Sequence, residues 1–237
     1  MFEEGSEGQV TLTVSAWLVR HPSGTVLFDT GMPTSFVGGS DRTKQISEFL
    51  SIDFEANDTV GAQLIVHSQD PERVDFVVVS HLHFDHVGGL SDIPNATVIV
   101  QRKEWEASMN EPLEADTLHP REDFDLGHTL RLIDGEYDLF GDDTVVCIPT
   151  PGHTIGHQSL RIRLSTGKQV VLASDCCYFA RTLDTVVLPT FGYNLEEQRR
   201  SLAYLRKCRD EGARIIPGHD IEVVSNLPRI LGISEAS

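Results

Sequence analysis

The chain is short of positive charge, of cysteine and of long apolar runs, and each shortage argues against a class of function. It carries 19 Lys and Arg against 36 Asp and Glu, a formal net charge of −17 over 237 residues. A chain this acidic repels phosphate backbones, and no basic cluster offsets it, so nucleic acid is not expected as a partner. Cysteine is limited to Cys147, Cys176, Cys177 and Cys208, none in Cys-x-x-Cys spacing. A disulfide framework is therefore not expected, which fits a reducing compartment. Cys176 adjoins Asp175 in sequence and reads as buried filler rather than as a ligand. No stretch approaches the roughly 18 apolar residues of a membrane span. The acidic start Met1-Phe2-Glu3-Glu4 lacks the basic and apolar regions of a signal peptide. A cytoplasmic location is the expectation that remains.

What is present suits an enzyme. Hydrophobic residues make up 40% of the chain, enough for one domain, residues 1–237, to bury roughly 70% of its unfolded surface. No internal repeat, low-complexity tract or linker interrupts it. The densest chemistry lies in Ser80-His81-Leu82-His83-Phe84-Asp85-His86-Val87-Gly88-Gly89, directly behind the apolar run Val74–Val79, which reads as a buried strand. Imidazoles and a carboxylate crowded at the end of a core strand would be costly if left without partners. A metal ion converts that cost into binding energy, since both groups are ordinary ligands for zinc and similar ions.

The pattern recurs. Thr150-Pro151-Gly152-His153, Ala173-Ser174-Asp175 and Pro217-Gly218-His219-Asp220 each follow a strand-like run: Thr144–Ile148, Gln169–Ala173 and Arg214–Ile216. Strand ends in an α/β sandwich converge on one edge. The gathered groups are His81, His83, Asp85, His86, His153, Asp175 and His219, seven in all. One tetrahedral ion takes about four ligands at most, so seven imply two divalent ions with one carboxylate shared. Zinc is the first expectation, with iron, manganese and cobalt as other ions that such donors accept.

The order His-x-His-x-Asp-His, then single His, Asp and His residues at strand ends, resembles the metallo-β-lactamase superfamily. Phe84, Thr150-Pro151-Gly152-His153-Thr154-Ile155-Gly156-His157-Gln158-Ser159-Leu160, Tyr178 three residues after Asp175, and Gly218-His219-Asp220-Ile221-Glu222 narrow the likeness to the N-acyl-homoserine lactonase family, the quorum-quenching branch. The resemblance runs from about Ser15 to near the C-terminus. It implies an α/β fold of the αββα sandwich type, two mixed β-sheets with helices outside, and a hydrolase that opens a small lactone. It implies His81, His83 and His153 on one ion, Asp85, His86 and His219 on the other, and Asp175 as the bridge. A hydroxide shared by the ions would attack the lactone carbonyl, Tyr178 would donate to the developing oxyanion, Asp85 would pass a proton to the leaving oxygen, and Phe84 would contact the ring or acyl chain. Two other readings share these motifs: a lactonase for a pyridoxine-derived lactone, and a thioesterase of the glyoxalase II type. A homodimer is the one assembly allowed for. The family has a further strand and loop before the first hairpin, whereas nine residues precede Val10 here; either the sequence begins late or the acyl pocket is built differently.

Among the remaining elements, Val10–Val19 and Thr25–Phe28 read as a hairpin around His21-Pro22-Ser23-Gly24. Asp29 ends that hairpin and serves equally well as an Asx turn or as a carboxylate orienting a metal-bound histidine. Ile46, Phe49 and Leu50 suggest a short helical face. Asp58 is expected to cap a helix over Thr59–His67, with His67 on its surface. Ala96–Gln101 reads as a strand and Arg102–Met109 as a helix. Asn110–His128 reads as a long loop of the kind that forms lids, with His119 and His128 as solvated residues. His157 is expected to be structural. Asn194 caps the last helix, and Gly212 stops it.

Overall fold

The protein is described from a computed structural model over residues 10–47, 50–110 and 120–227. Its described residues form two compact units: those of 14–100 with 105–132, and those of 10–13, 101–104 and 133–227. Each is built on one five-stranded sheet. No described helix is long and apolar enough to cross a membrane.

The first sheet has β1 (Trp17–His21), β2 (Gly24–Phe28), β3 (Phe76–Val78), β4 (Thr97–Gln101) and β5 (Thr129–Ile133), neighbours in chain order. β1 and β2 form the expected antiparallel hairpin, while β2, β3 and β4 run parallel. The alternating pattern from Val10 does not start a strand until Trp17. The preceding backbone is committed elsewhere: the Thr13 carbonyl accepts a bond from His219 Nδ1 at 2.8 Å.

Parallel neighbours need crossovers, and α1 (Asp41–Ile46) and α2 (Val60–Val66) lie in the first of them. Ser40 caps α1 in a reciprocal pair with Thr43. Thr59, not Asp58, caps α2, its hydroxyl accepting from Ala62 N; the Asp58 carboxylate is already taken by Glu55 N at 2.8 Å. His67 is exposed, as expected, whereas Phe49 lies outside the described residues.

α3 (Phe84–Val87) follows β3, α4 (Arg102–Asn110) follows β4, and α5 (Arg121–Phe124) precedes β5. The stretch read as a lid is thus partly helical; its residues 111–119, with His119, lie outside the described residues. Phe124 is buried edge-on against Trp105 at 5.4 Å. His128 is anchored, its Nε2 donating to the Ile93 carbonyl at 3.0 Å. Leu27, Val77, Val79 and Val98 pack with Leu64, Val87, Leu90 and Phe124 on one face, and Val26 and Val78 are buried as well. Burial on both faces explains why these strands read as continuous apolar runs.

The second sheet has β6 (Tyr137–Asp138), β7 (Val145–Pro149), β8 (Gln158–Arg163), β9 (Gln169–Ser174) and β10 (Arg214–Pro217), in the order β10-β9-β8-β7-β6. β6 to β9 are antiparallel neighbours, and β10 adds in parallel beside β9. That parallel step carries α6 (Thr182–Thr185) and α7 (Leu195–Asp210), and α8 (Ile221–Ser225) closes the unit. Asn194 Oδ1 caps α7, accepting from Glu196 N and Glu197 N at 3.0 and 3.1 Å. Gly212, at φ +103°, follows its end. Leu202 and Leu205 turn inward from α7 onto Val171, Ala173 and Leu188.

Leu205 is fully enclosed. Leu205→Ala is expected to destabilise the fold by about 2–5 kcal/mol, read as a lower midpoint in urea or thermal unfolding. Val66→Ala, on the exposed side of α2, is expected to stay within about 0.5 kcal/mol.

Candidate metal centre

The first unit offers four donors from one short stretch. β3 ends at Val78, and the chain turns through Ser80 into α3, which His83 precedes as its N-cap. His81 and His86 are buried, and Asp85 is 22% exposed at its side chain. Asp29, held at φ +57° at the end of β2, organises them. Its Oδ1 accepts from Ser80 N at 2.7 Å, and its Oδ2 accepts from Ser80 Oγ at 2.8 Å and from His86 Nδ1 at 2.9 Å.

A carboxylate can only accept, so His86 carries its proton on Nδ1. Ser80 Oγ spends its proton on Asp29 and therefore accepts from His81 Nδ1, 2.9 Å away. Both rings are thus driven into the tautomer that leaves Nε2 with a lone pair. His81 Nε2 points at His83 Nδ1 at 2.8 Å, and His86 Nε2 at Asp85 Oδ2 at 3.6 Å. Asp29 is therefore an orienting carboxylate as well as a turn residue. The Phe84 ring, between His83 and Asp85 in sequence, turns into the core, 5.8 Å from the Phe36 ring and beneath the Arg42 guanidinium at 5.6 Å.

The second unit brings together His153, Asp175, His219 and Tyr178 from beyond β7, β9 and β10. Gly152, at φ +133°, lets the chain pass so close to the start of α7 that a Cβ there would lie 2.2 Å from Gln198 N. α7 fastens the same loops: Gln198 Nε2 donates to the Asp175 carbonyl at 2.9 Å, and Ser201 Oγ to the Pro151 carbonyl at 2.7 Å. Ser174, at φ +45°, turns the chain out of β9 to aim Asp175, a strained conformation of the kind that collects at functional sites.

The Asp175 carboxylate lies between two imidazoles, Oδ2 at 3.3 Å from His153 Nε2 and Oδ1 at 2.8 Å from His219 Nε2. His219 donates its Nδ1 proton to the Thr13 carbonyl, so a neutral ring would face a carboxylate oxygen with its lone pair. Two electron-rich atoms at 2.8 Å repel unless positive charge lies between them, a proton or a metal ion. Tyr178 is buried, its ring 4.9 Å from that of His219 and 5.8 Å from that of His153. His157 is tied down through Nδ1 to Thr150 Oγ1 at 2.9 Å and meets the His153 ring edge-on at 6.1 Å, consistent with a structural part. Cys176 and Cys177 belong to the apolar cluster under α7, and burial alone pushes the Cys147 thiol up to about 12.

Lone pairs turned inward on imidazole nitrogen, beside carboxylate oxygen and without thiolate, form the donor set of an open catalytic divalent-metal centre rather than of a closed cysteine-rich one. The residues present fit divalent ions. Ser80 and the Thr13 carbonyl, which motif reading does not single out, orient the His81 and His219 rings in the same way as Asp29 orients His86. Ser80 could have been noticed as the hydroxyl preceding His81; Thr13 acts through its carbonyl, which every residue has.

The profile of the metallo-beta-lactamase superfamily matches residues 10–219. The N-acyl homoserine lactonase AttM of Rhizobium radiobacter is 31% identical over 239 residues, with 95% of this chain and 89% of that protein covered. The N-acyl homoserine lactonase AiiA of Bacillus thuringiensis subsp. kurstaki is 31% identical over 218 residues, covering 90% of this chain and 83% of that protein. A solved N-acyl homoserine lactone hydrolase, with the product N-hexanoyl-L-homoserine bound at its catalytic metal centre, superposes with a TM-score of 0.81 at 27% identity, covering 96% of this chain and 89% of that one. The chain belongs to the metallo-beta-lactamase superfamily, in its N-acyl homoserine lactonase branch.

Proposed function

We propose that this protein hydrolyses the lactone ring of N-acyl homoserine lactones with two divalent metal ions, zinc foremost. The observation that carries the reading is the Asp175 carboxylate, one oxygen against His153 and the other against His219, with the Tyr178 ring beside both imidazoles. A carboxylate with a histidine at each oxygen is disposed to bridge two cations. His81, His83 and His153 are assigned to the first ion, Asp85, His86 and His219 to the second, and Asp175 to both.

Divalent ions in such a centre supply Lewis-acid polarisation and acidify water to titrate near neutral pH. The protein's own residues do the rest. Asp29 and Ser80 hold His86 and His81 with their Nε2 lone pairs inward, and the Thr13 carbonyl does so for His219. Tyr178 Oη donates a hydrogen bond to the lactone carbonyl oxygen as negative charge gathers there. As a water oxygen bonds to the lactone carbonyl carbon and the ring carbon–oxygen bond breaks, Asp85, the more exposed carboxylate, takes a proton from that water and gives it to the leaving ring oxygen. The products are a hydroxyl and a carboxylic acid, which loses its proton to solvent. Phe84, buried against Phe36 and beneath Arg42, packs under the metal loop and leaves the substrate at most a ring edge to contact. The net charge of −17 suits a neutral lactone better than an anion such as a glutathione thioester.

A substrate panel tests the reading: N-acyl homoserine lactones should be opened by the metal-loaded protein, while S-lactoylglutathione and a pyridoxine-derived lactone should not. Turnover confined to either of the latter would overturn it. Elemental analysis should find about two ions per chain, as a dinuclear centre requires, and Asp175→Ala should lose metal from both positions along with nearly all turnover. Tyr178→Phe should keep its metal and lose kcat by roughly 10–10³-fold, the range expected for one oxyanion donor. Asp29→Ala removes no ligand, yet it should weaken metal retention by about 10–100-fold in a chelator competition; unaltered retention would reduce Asp29 to a turn residue.

A further inference from the structure

Phe191 and Tyr193 stand out beside the metal ligands. Both are exposed, at 41% and 59%, where large aromatic surface is ordinarily withdrawn from water. They are not loose. Leu188, fully buried in the cluster under α7, anchors the segment on one side. On the other, Tyr193 N donates to the His153 carbonyl at 2.9 Å and Asn194 N to the Gly152 carbonyl at 2.8 Å. Gly192, at φ +146°, adopts a backbone conformation that a side chain would strain, and Asn194 then caps α7. The Phe191 ring meets the His153 ring edge-on, centroids 6.2 Å apart and planes at 70°. The backbone that fixes a metal ligand thus also fixes an exposed aromatic ledge next to it.

We propose that Phe191, seconded by Tyr193, is a specificity-determining residue that receives the apolar N-acyl tail of the substrate. This rests on the lactonase reading. A substrate whose ring carbonyl lies against the Asp175 end of His153 has only its amide and tail left to extend past that imidazole, and Phe191 is the large apolar surface already in contact with it. Aromatic rings offer such a tail broad contact with little conformational freedom to lose. The tail is uncharged, so the chain's net charge of −17 does not oppose its binding. Phe191 takes no part in moving protons or holding metal; it acts on which lactone is bound.

The test uses the metal-loaded protein with N-butanoyl and N-decanoyl homoserine lactone. Losing one aromatic contact, about 1–2 kcal/mol, should raise KM for the decanoyl lactone in Phe191→Ala by roughly 5–30-fold. KM for the butanoyl lactone should rise far less, with metal content and the decanoyl kcat little altered. Phe191→Leu should recover most of the loss, and Tyr193→Ala should show a smaller change in the same direction. Equal losses on both lactones, or none on either, would overturn the ledge while leaving the lactonase reading in place. A wild-type protein that opens neither lactone would overturn the lactonase reading itself. If Phe191→Ala instead turned a dimer into a monomer by light scattering, with the chain-length profile unaltered, the ledge would be a contact between copies.

Discussion

Electron-rich atoms held against one another in a dry interior are the constraint around which the rest is arranged. Imidazole nitrogen facing carboxylate oxygen at 2.8 Å, as at His219 and Asp175, is repulsive unless a positive charge intervenes, and burial strengthens every such term. The protein does not relieve this by turning the rings away. It holds them inward through atoms that can only accept, the Asp29 carboxylate and the Thr13 carbonyl, and through the Ser80 hydroxyl, whose proton is already committed. The outer partners therefore settle what the inner nitrogens offer, and the donors become a receptor for divalent cations.

Holding such a set demands concessions from the backbone. Asp29 and Ser174 occupy left-handed conformations at strand ends, each costing on the order of 1–3 kcal/mol, and Gly152 stands where a side chain would strike the start of α7. The apolar clusters around β3 and under α7 supply the rigidity that makes these conformations tolerable. α7 links the two scales: Leu202 and Leu205 seat it in the core, while Gln198 and Ser201 reach forward to the loops bearing Asp175 and His153. The exposed aromatics at Phe191 and Tyr193 sit on the segment leading into its cap, so the same helix fixes the site loops and the aromatic ledge.

Much of this was legible because it is local. β3, β7, β9 and β10 announce themselves as short β-branched runs, and the ligands follow them directly in sequence, so strand and chemistry are read together. The capping of α7 by Asn194 needs only its own neighbours. Where context mattered, the reading failed or stayed open. The alternation from Val10 looked like strand, yet the Thr13 carbonyl is engaged by a histidine 206 residues away. Asp58 looked like a cap, but its carboxylate serves Glu55, leaving Thr59 to cap α2. β5, β6 and β8 went unread: β6 is two residues long, β5 is exposed over much of its length, and β8 is mostly buried although it carries arginines.

The sequence by itself determined the donor inventory, the strands that carry it and the family, since ligand type and spacing are properties of a few contiguous residues. Tertiary structure alone decided which nitrogen of His81, His86 and His219 turns inward, whether Asp29 orients or merely turns the chain, and that Phe191 lies against His153, 38 positions before it in sequence. These depend on hydrogen bonds and ring contacts between segments far apart in the chain. No local pattern encodes them, because an acceptor such as a backbone carbonyl is identical at every residue and is made specific only by the fold that aims it.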